Sequence, residues 1–156
     1  TYQSCSVVAS EVFTAIQLYQ KKIDLESLYL SLPEITENGK ERLKNIYITI
    51  AKEGVTETYS KANAQFSKCS KEAFKHQGKP LKNTLSYLFY LCSGENKLRY
   101  EIILSAYLGG SSKDIVPQIH PSRQSLGRYL FQIYEESGVN GAFDFSATEL
   151  KRCLTQ

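Results

Sequence analysis

Nucleophilic, acid–base or metal chemistry in this chain would have to come from two histidines, four cysteines and the adjacent Glu135 and Glu136. A hydrolase needs a nucleophile, a base and a group that orients the base. His76 lies in the corner that holds Gly78 and Pro80, and His120 lies in Gln118-Ile119-His120-Pro121. Neither has a companion four residues on, so neither forms the helical ligand pair of a zinc site. Adjacent residues on a helix point in different directions, so Glu135-Glu136 reads as a solvated pair rather than an acid–base couple. Gly109-Gly110 follows a helical stretch instead of preceding one, which is not the arrangement of a phosphate-binding loop. The expectation is a protein without catalytic activity, cofactor or metal.

Cys5, Cys69, Cys92 and Cys153 include no C-x-x-C pair, which argues against zinc and against thioredoxin-like redox work. As disulfides they would place the chain in an oxidising compartment, periplasmic or secreted. The chain begins at Thr1 and contains no methionine, which reads as a mature exported protein after loss of its signal peptide. No N-x-[ST] acceptor is present, so nothing points to a glycosylated product and the periplasm is favoured. No run approaches the roughly 18 apolar residues that span a bilayer. With a formal net charge of +3 and an exported address, nucleic acid is a poor partner.

Binding residues are easier to find than catalytic ones. Lys68, Lys71, Lys75, Lys79 and Lys82 would form a basic stripe, bent by Gly78 and Pro80. It reads first as a solvated face and second as a patch for an acidic partner or for lipid headgroups. The 11 tyrosines, without any tryptophan, suit core rims, a contact surface or the wall of an apolar cavity. Composition leaves those three open. Residues 109–123 are rich in glycine and proline and read either as a plain connection between helices or as a binding segment, since loops on a rigid scaffold are where binding residues tend to sit. Its polar side chains Lys113, Asp114, His120 and Arg123 are the candidate partner-binding residues.

The elements that must position these residues are helical. Cys5, Val8, Val12, Ile16 and Tyr19 recur at three- and four-residue steps, one face of a helix from about Ser4. Asp24 caps a short helix stopped by Pro33, and Asn38 with Glu41 reads as a capping box for the next. Tyr59, Ala62, Phe66, Cys69 and Ala73 mark a fourth helix that runs out near Gly78. Lys79-Pro80 restarts a helix through Cys92, Ser93-Gly94 breaks it, and another runs to Gly109. Ser122 caps the next, ended by Gly138, and Ser146-x-x-Glu149 is a capping box for a last short helix. Strand patterns are nearly absent, so the expected class is all-α.

The helices repeat. A shift of 84 positions lays Leu32-Pro33-x-Ile35 on Val116-Pro117-x-Ile119, Gly54-Val55 on Gly138-Val139, and Cys69 on Cys153. This predicts an internal duplication of a three- to four-helix unit, with units 1–77 and 81–156 forming one compact domain. Of the three pairings that four cysteines allow, the repeat selects Cys5–Cys69 and Cys92–Cys153, a disulfide-stapled helical array.

The stretch Glu149-Leu150-Lys151-Arg152-Cys153-Leu154, with Cys92 as the earlier cysteine, resembles small all-α periplasmic immunity proteins directed against type VI secreted cell-wall amidases. The likeness covers one unit at most. The other unit has no counterpart in that pattern, the early cysteine lacks a matching flank, and no binding residue carries over. What it implies is an inhibitor that occludes a toxin's active site. The expected function is therefore an exported protein-binding module whose partner is a toxin or hydrolase, with a homodimer left open. The alternatives are a carrier holding an apolar small molecule in an internal cavity and a structural envelope protein.

Overall fold

A computed structural model describes residues 1–156 and contains α-helices and short 3-10 turns but no strand. The chain divides into two compact units, Thr1–Gly78 and Lys79–Gln156. The first holds α1 (Tyr2–Gln20), α2 (Leu25–Ser31), α3 (Glu37–Glu53) and α4 (Val55–Gln77). The second holds α5 (Leu85–Tyr107), α6 (Ser112–Ile115), two 3-10 turns (Val116–Gln118 and Pro121–Arg123) and α7 (Gln124–Leu154).

In the first unit α1 packs on α3 and α4, and α2 packs on α3. Tyr2, Phe13, Ile16, Tyr59 and Phe66 are buried there, each apolar side chain of this size contributing about 1.5–3 kcal/mol. A satellite cluster of Ala15, Leu28 and Leu43 sits beneath α2. Tyrosine hydroxyls tie the joints: Tyr2 donates to the Gly78 carbonyl at 3.1 Å, Tyr29 to Lys40 at 3.0 Å and Tyr47 to Ile23 at 2.6 Å. For these three the core-rim reading holds. In the second unit α5 packs along α7, burying Cys92, Ile102, Ile103, Leu130, Phe143 and Leu150.

Both expected disulfides are present, Cys5–Cys69 and Cys92–Cys153, with sequence separations of 64 and 61. Each joins the first helix of its unit to the last. The aromatic packing recurs in the same places. Phe13 stacks on Tyr59 with ring centroids 6.2 Å apart, and Tyr100 stacks on Phe143 at 6.3 Å. Shifted by the distance between first cysteines, Phe13 falls on Tyr100; shifted by that between last cysteines, Tyr59 falls on Phe143. Gly54 (φ 92°, ψ 164°) joins α3 to α4, and Gly138 (φ 74°, ψ −177°) kinks α7 into two helical segments. No L-residue adopts that backbone cheaply, which is why glycine stands at both.

Several helix ends differ from expectation. The first helix starts at Tyr2, because Thr1 Oγ1 accepts from the Ser4 amide. Thr36, not Asn38, caps α3: it is the last residue in extended backbone, and its hydroxyl accepts from the Gly39 amide at 3.0 Å. Lys79-Pro80 does not start a helix. Asn83 takes a left-handed φ of 67°, and Thr84 then caps α5 by accepting from the Tyr87 amide. Ser93-Gly94 does not end one either. A lone helical glycine costs about 1 kcal/mol relative to alanine, and the buried face either side of it outweighs that. Ser146 caps nothing: α7 resumes immediately after Gly138, and Ser146 lies buried in its middle. The periodicity of a cap motif and of a polar residue inside a helix is the same on paper, and only packing separates them. Asp24 does cap α2, its carboxylate accepting from the Ser27 amide at 2.8 Å. That bond holds its carboxyl below the ordinary range.

Candidate functional site

Residues 109–123 are not a plain loop. Leaving α5, Gly109 takes a φ of 98°, and the Gly110 amide donates to the Ser105 carbonyl at 2.9 Å. A Cβ on Gly110 would lie 2.8 Å from that carbonyl oxygen, so the turn requires glycine. Ser111 caps α6 by accepting from the Asp114 amide. Val116 is buried, and Ile119 leans on Gly127 of α7 so closely that a Cβ there would meet its Cδ1 at 2.6 Å. Ser122 does not cap α7. His120 caps the second 3-10 turn instead, its Nδ1 accepting from the Ser122 amide at 3.2 Å with the Ser122 hydroxyl 2.8 Å away.

This folding gathers two of the four candidate residues. His120 and Arg123 line an open groove of about 300 Å3 between α5 and the turns, while Lys113 and Asp114 stay exposed on α6, outside it. Arg123 forms an ion pair with Glu95 of α5. The facing wall is Leu98, Glu101 and Ile102; the sequence pattern marks Leu98 and Ile102 as an apolar helix face but not as part of a binding site. Their signal was available in the i, i+3, i+4 spacing on α5. Glu101 also approaches Lys97 at 3.9 Å. The groove therefore offers a carboxylate, an imidazole and a guanidinium against an aliphatic floor, a set suited to hydrogen-bonding a partner surface.

The Ser122–His120 contact is not a catalytic dyad in form. The two lie two residues apart in one turn, and Nε2 of His120 has no acidic partner to orient it. Elsewhere, Glu135 and Glu136 are exposed, and Glu136 accepts from Gln132 at 3.1 Å. No three His, Cys, Asp or Glu side chains are grouped to hold a metal. Lys68, Lys71 and Lys75 are exposed on α4, and the stripe stops there because Gly78 ends the helix. No helix is long and apolar enough to cross a membrane.

No known protein family, curated protein or solved structure matches the chain.

Two further features escaped the sequence reading. One is a buried polar cluster in the second unit. Arg99 is 6% exposed, its Nε donates to Ser146 Oγ at 3.2 Å, and Ser146 Oγ donates to Asn96 Oδ1 at 3.4 Å. Burial pulls the Arg99 pKa down and the Glu149 carboxylate pushes it back up. The corresponding residues of the first unit are Ala9, Val12 and Ala62. The other is a groove of about 520 Å3 in the first unit, between α1 and the Pro33 segment. The same two elements, helix and Pro-x-Ile segment, build the groove of each unit.

Proposed function

We propose that this chain is an exported, non-catalytic protein-binding module, of the kind that inhibits a secreted toxin or hydrolase, and that residues 109–123 form its contact. The observation that carries this reading is the second-unit segment itself. Its backbone is ordered by caps and a glycine close approach. Lys113, Asp114 and His120 stand exposed on it, and Arg123 and Glu101 border an adjoining groove. A contact preorganised in this way loses little entropy on binding. Paired cysteines are compatible with an oxidising, exported compartment, and the periplasm is the reading adopted here. The recurring disulfide, stacked aromatic pair and glycine turn support descent of both units from one duplicated module.

Immobilised chain should recover a hydrolase from a periplasmic extract, and added free chain should lower that hydrolase's activity. A variant carrying Lys113→Glu and His120→Asp, both on exposed positions, should lose the capture. Recovery of nothing but the chain itself, or undiminished capture by the variant, refutes the assignment. Size-exclusion chromatography with light scattering decides whether the chain is also a homodimer.

A further inference from the structure

We propose that the first unit binds an amphiphilic cation, an apolar body carrying an ammonium group, in its groove beside Pro33. The groove holds about 520 Å3, within the roughly 300–1,000 Å3 typical of small-molecule sites. Ala15, Leu28 and Leu43, each nearly inaccessible, form the floor, and Leu32, Pro33 and Ile35 form a wall. Leu32 remains 39% exposed, so apolar surface is left for a ligand to cover.

The charges in this lining have one sign: Glu11 and Glu34 border the groove, and no lysine, arginine or histidine does. Arg42 reaches Glu11 from α3, but both of its bonds, at 3.2 and 2.7 Å, go to Oε2, so Oε1 stays free. The exposed Glu34 has no ion-pair partner. Lys40, the nearest other cation in sequence, is drawn to Glu37 at 3.5 Å and over the Tyr29 ring.

The second unit shows why this groove stays open. There Ile119 settles against Gly127, which narrows the corresponding space to about 300 Å3. By the 84-residue shift Gly127 corresponds to Leu43, so the first unit has no glycine at that position for Ile35 to settle on. Ile35 is instead lodged on Gly39, where a Cβ would meet its Cγ1 at 2.8 Å. The second groove also carries Arg123 and His120, so a cation is matched only to the first.

This site lies in a different unit from residues 109–123, so it stands or falls apart from the inhibitor reading. The test titrates the disulfide-intact chain with octyltrimethylammonium and with octyl sulfate, both below their micelle concentrations, and follows backbone amide shifts by NMR. The cation should bind about fivefold more tightly than the anion, the ratio one partly exposed ion pair supports, with shifts centred on Ala15, Leu28 and Ile35. Glu34→Lys, a change at an exposed position, should remove that preference while leaving the remaining spectrum in place. Equal affinities, absence of binding by either probe, shifts that map elsewhere, or an unchanged ratio in Glu34→Lys would each overturn the proposal.

Discussion

Replacing the buried Asn96–Arg99–Ser146 cluster tests how the second unit is held together. A hydrogen bond to a charged group is worth about 1.5–3 kcal/mol, and Arg99 Nε makes one to Ser146 while its buried Nη2 makes none. Ser146→Ala removes that partner and strands a guanidinium that is 6% exposed, so it should destabilise by about 2 kcal/mol. The variant Asn96→Ala, Arg99→Met, Ser146→Ala removes the whole cluster and fills much of the arginine volume with methionine. It places alanine at the two positions, Asn96 and Ser146, whose shifted counterparts Ala9 and Ala62 are already alanine. Exchanging a buried charged group for apolar side chains of similar volume ranges from neutral to about 1–4 kcal/mol stabilising. The triple variant should therefore be more stable than Ser146→Ala alone, a non-additivity expected of residues in one network. Native-state hydrogen exchange at α5 and α7 amides reads the second unit by itself, which a single melting curve of a two-unit chain would not. A triple variant less stable than the single one would overturn this account of the cluster. It would mean that Glu149, which opposes the burial effect on Arg99, makes the cluster a net contributor.

Three further outcomes follow from the geometry. Gly138→Ala and Gly54→Ala should each cost about 1–3 kcal/mol, because φ is 74° and 92° with ψ near 180° while nothing lies within 4 Å of the new Cβ; the penalty is conformational, and chemical denaturation measures it. Removing either disulfide by Cys→Ala pairs should cost about 4 kcal/mol in the chain-entropy model for loops closed over 64 and 61 residues, read as a fall in the denaturation midpoint of that unit's amides. The Asp24 cap should make the first unit sensitive to acid. Its folded-state carboxyl titrates below the usual 3.8, so its contribution is present above that pH and is lost as pH falls through the lower folded value. Asp24→Asn should flatten that part of the acid limb in a pH series followed by circular dichroism.

The all-α class, both cysteine pairings and the glycine turns at Gly54 and Gly138 were legible in the residues alone. These depend on local rules: helical periodicity, residues that tolerate positive φ, and cysteines recurring at matched separations. Helix ends were less legible. Thr36 and Asn38, or Thr84 and Pro80, are near neighbours in sequence, and the cap falls to whichever residue tertiary packing holds in extended backbone. Of the candidate contact, residues 109–123 could be named from composition, but the pairing of Arg123 with Glu95 and the facing of His120 by α5 could not. Those depend on how closely two elements approach, which Gly110 and Gly127 set through the backbone atoms and side chains they let past. Ser146 shows the limit most plainly. Its spacing to Glu149 spells a helix start, and only the position of Arg99 on another helix, 3.2 Å away, turns the same hydroxyl into an acceptor inside a core.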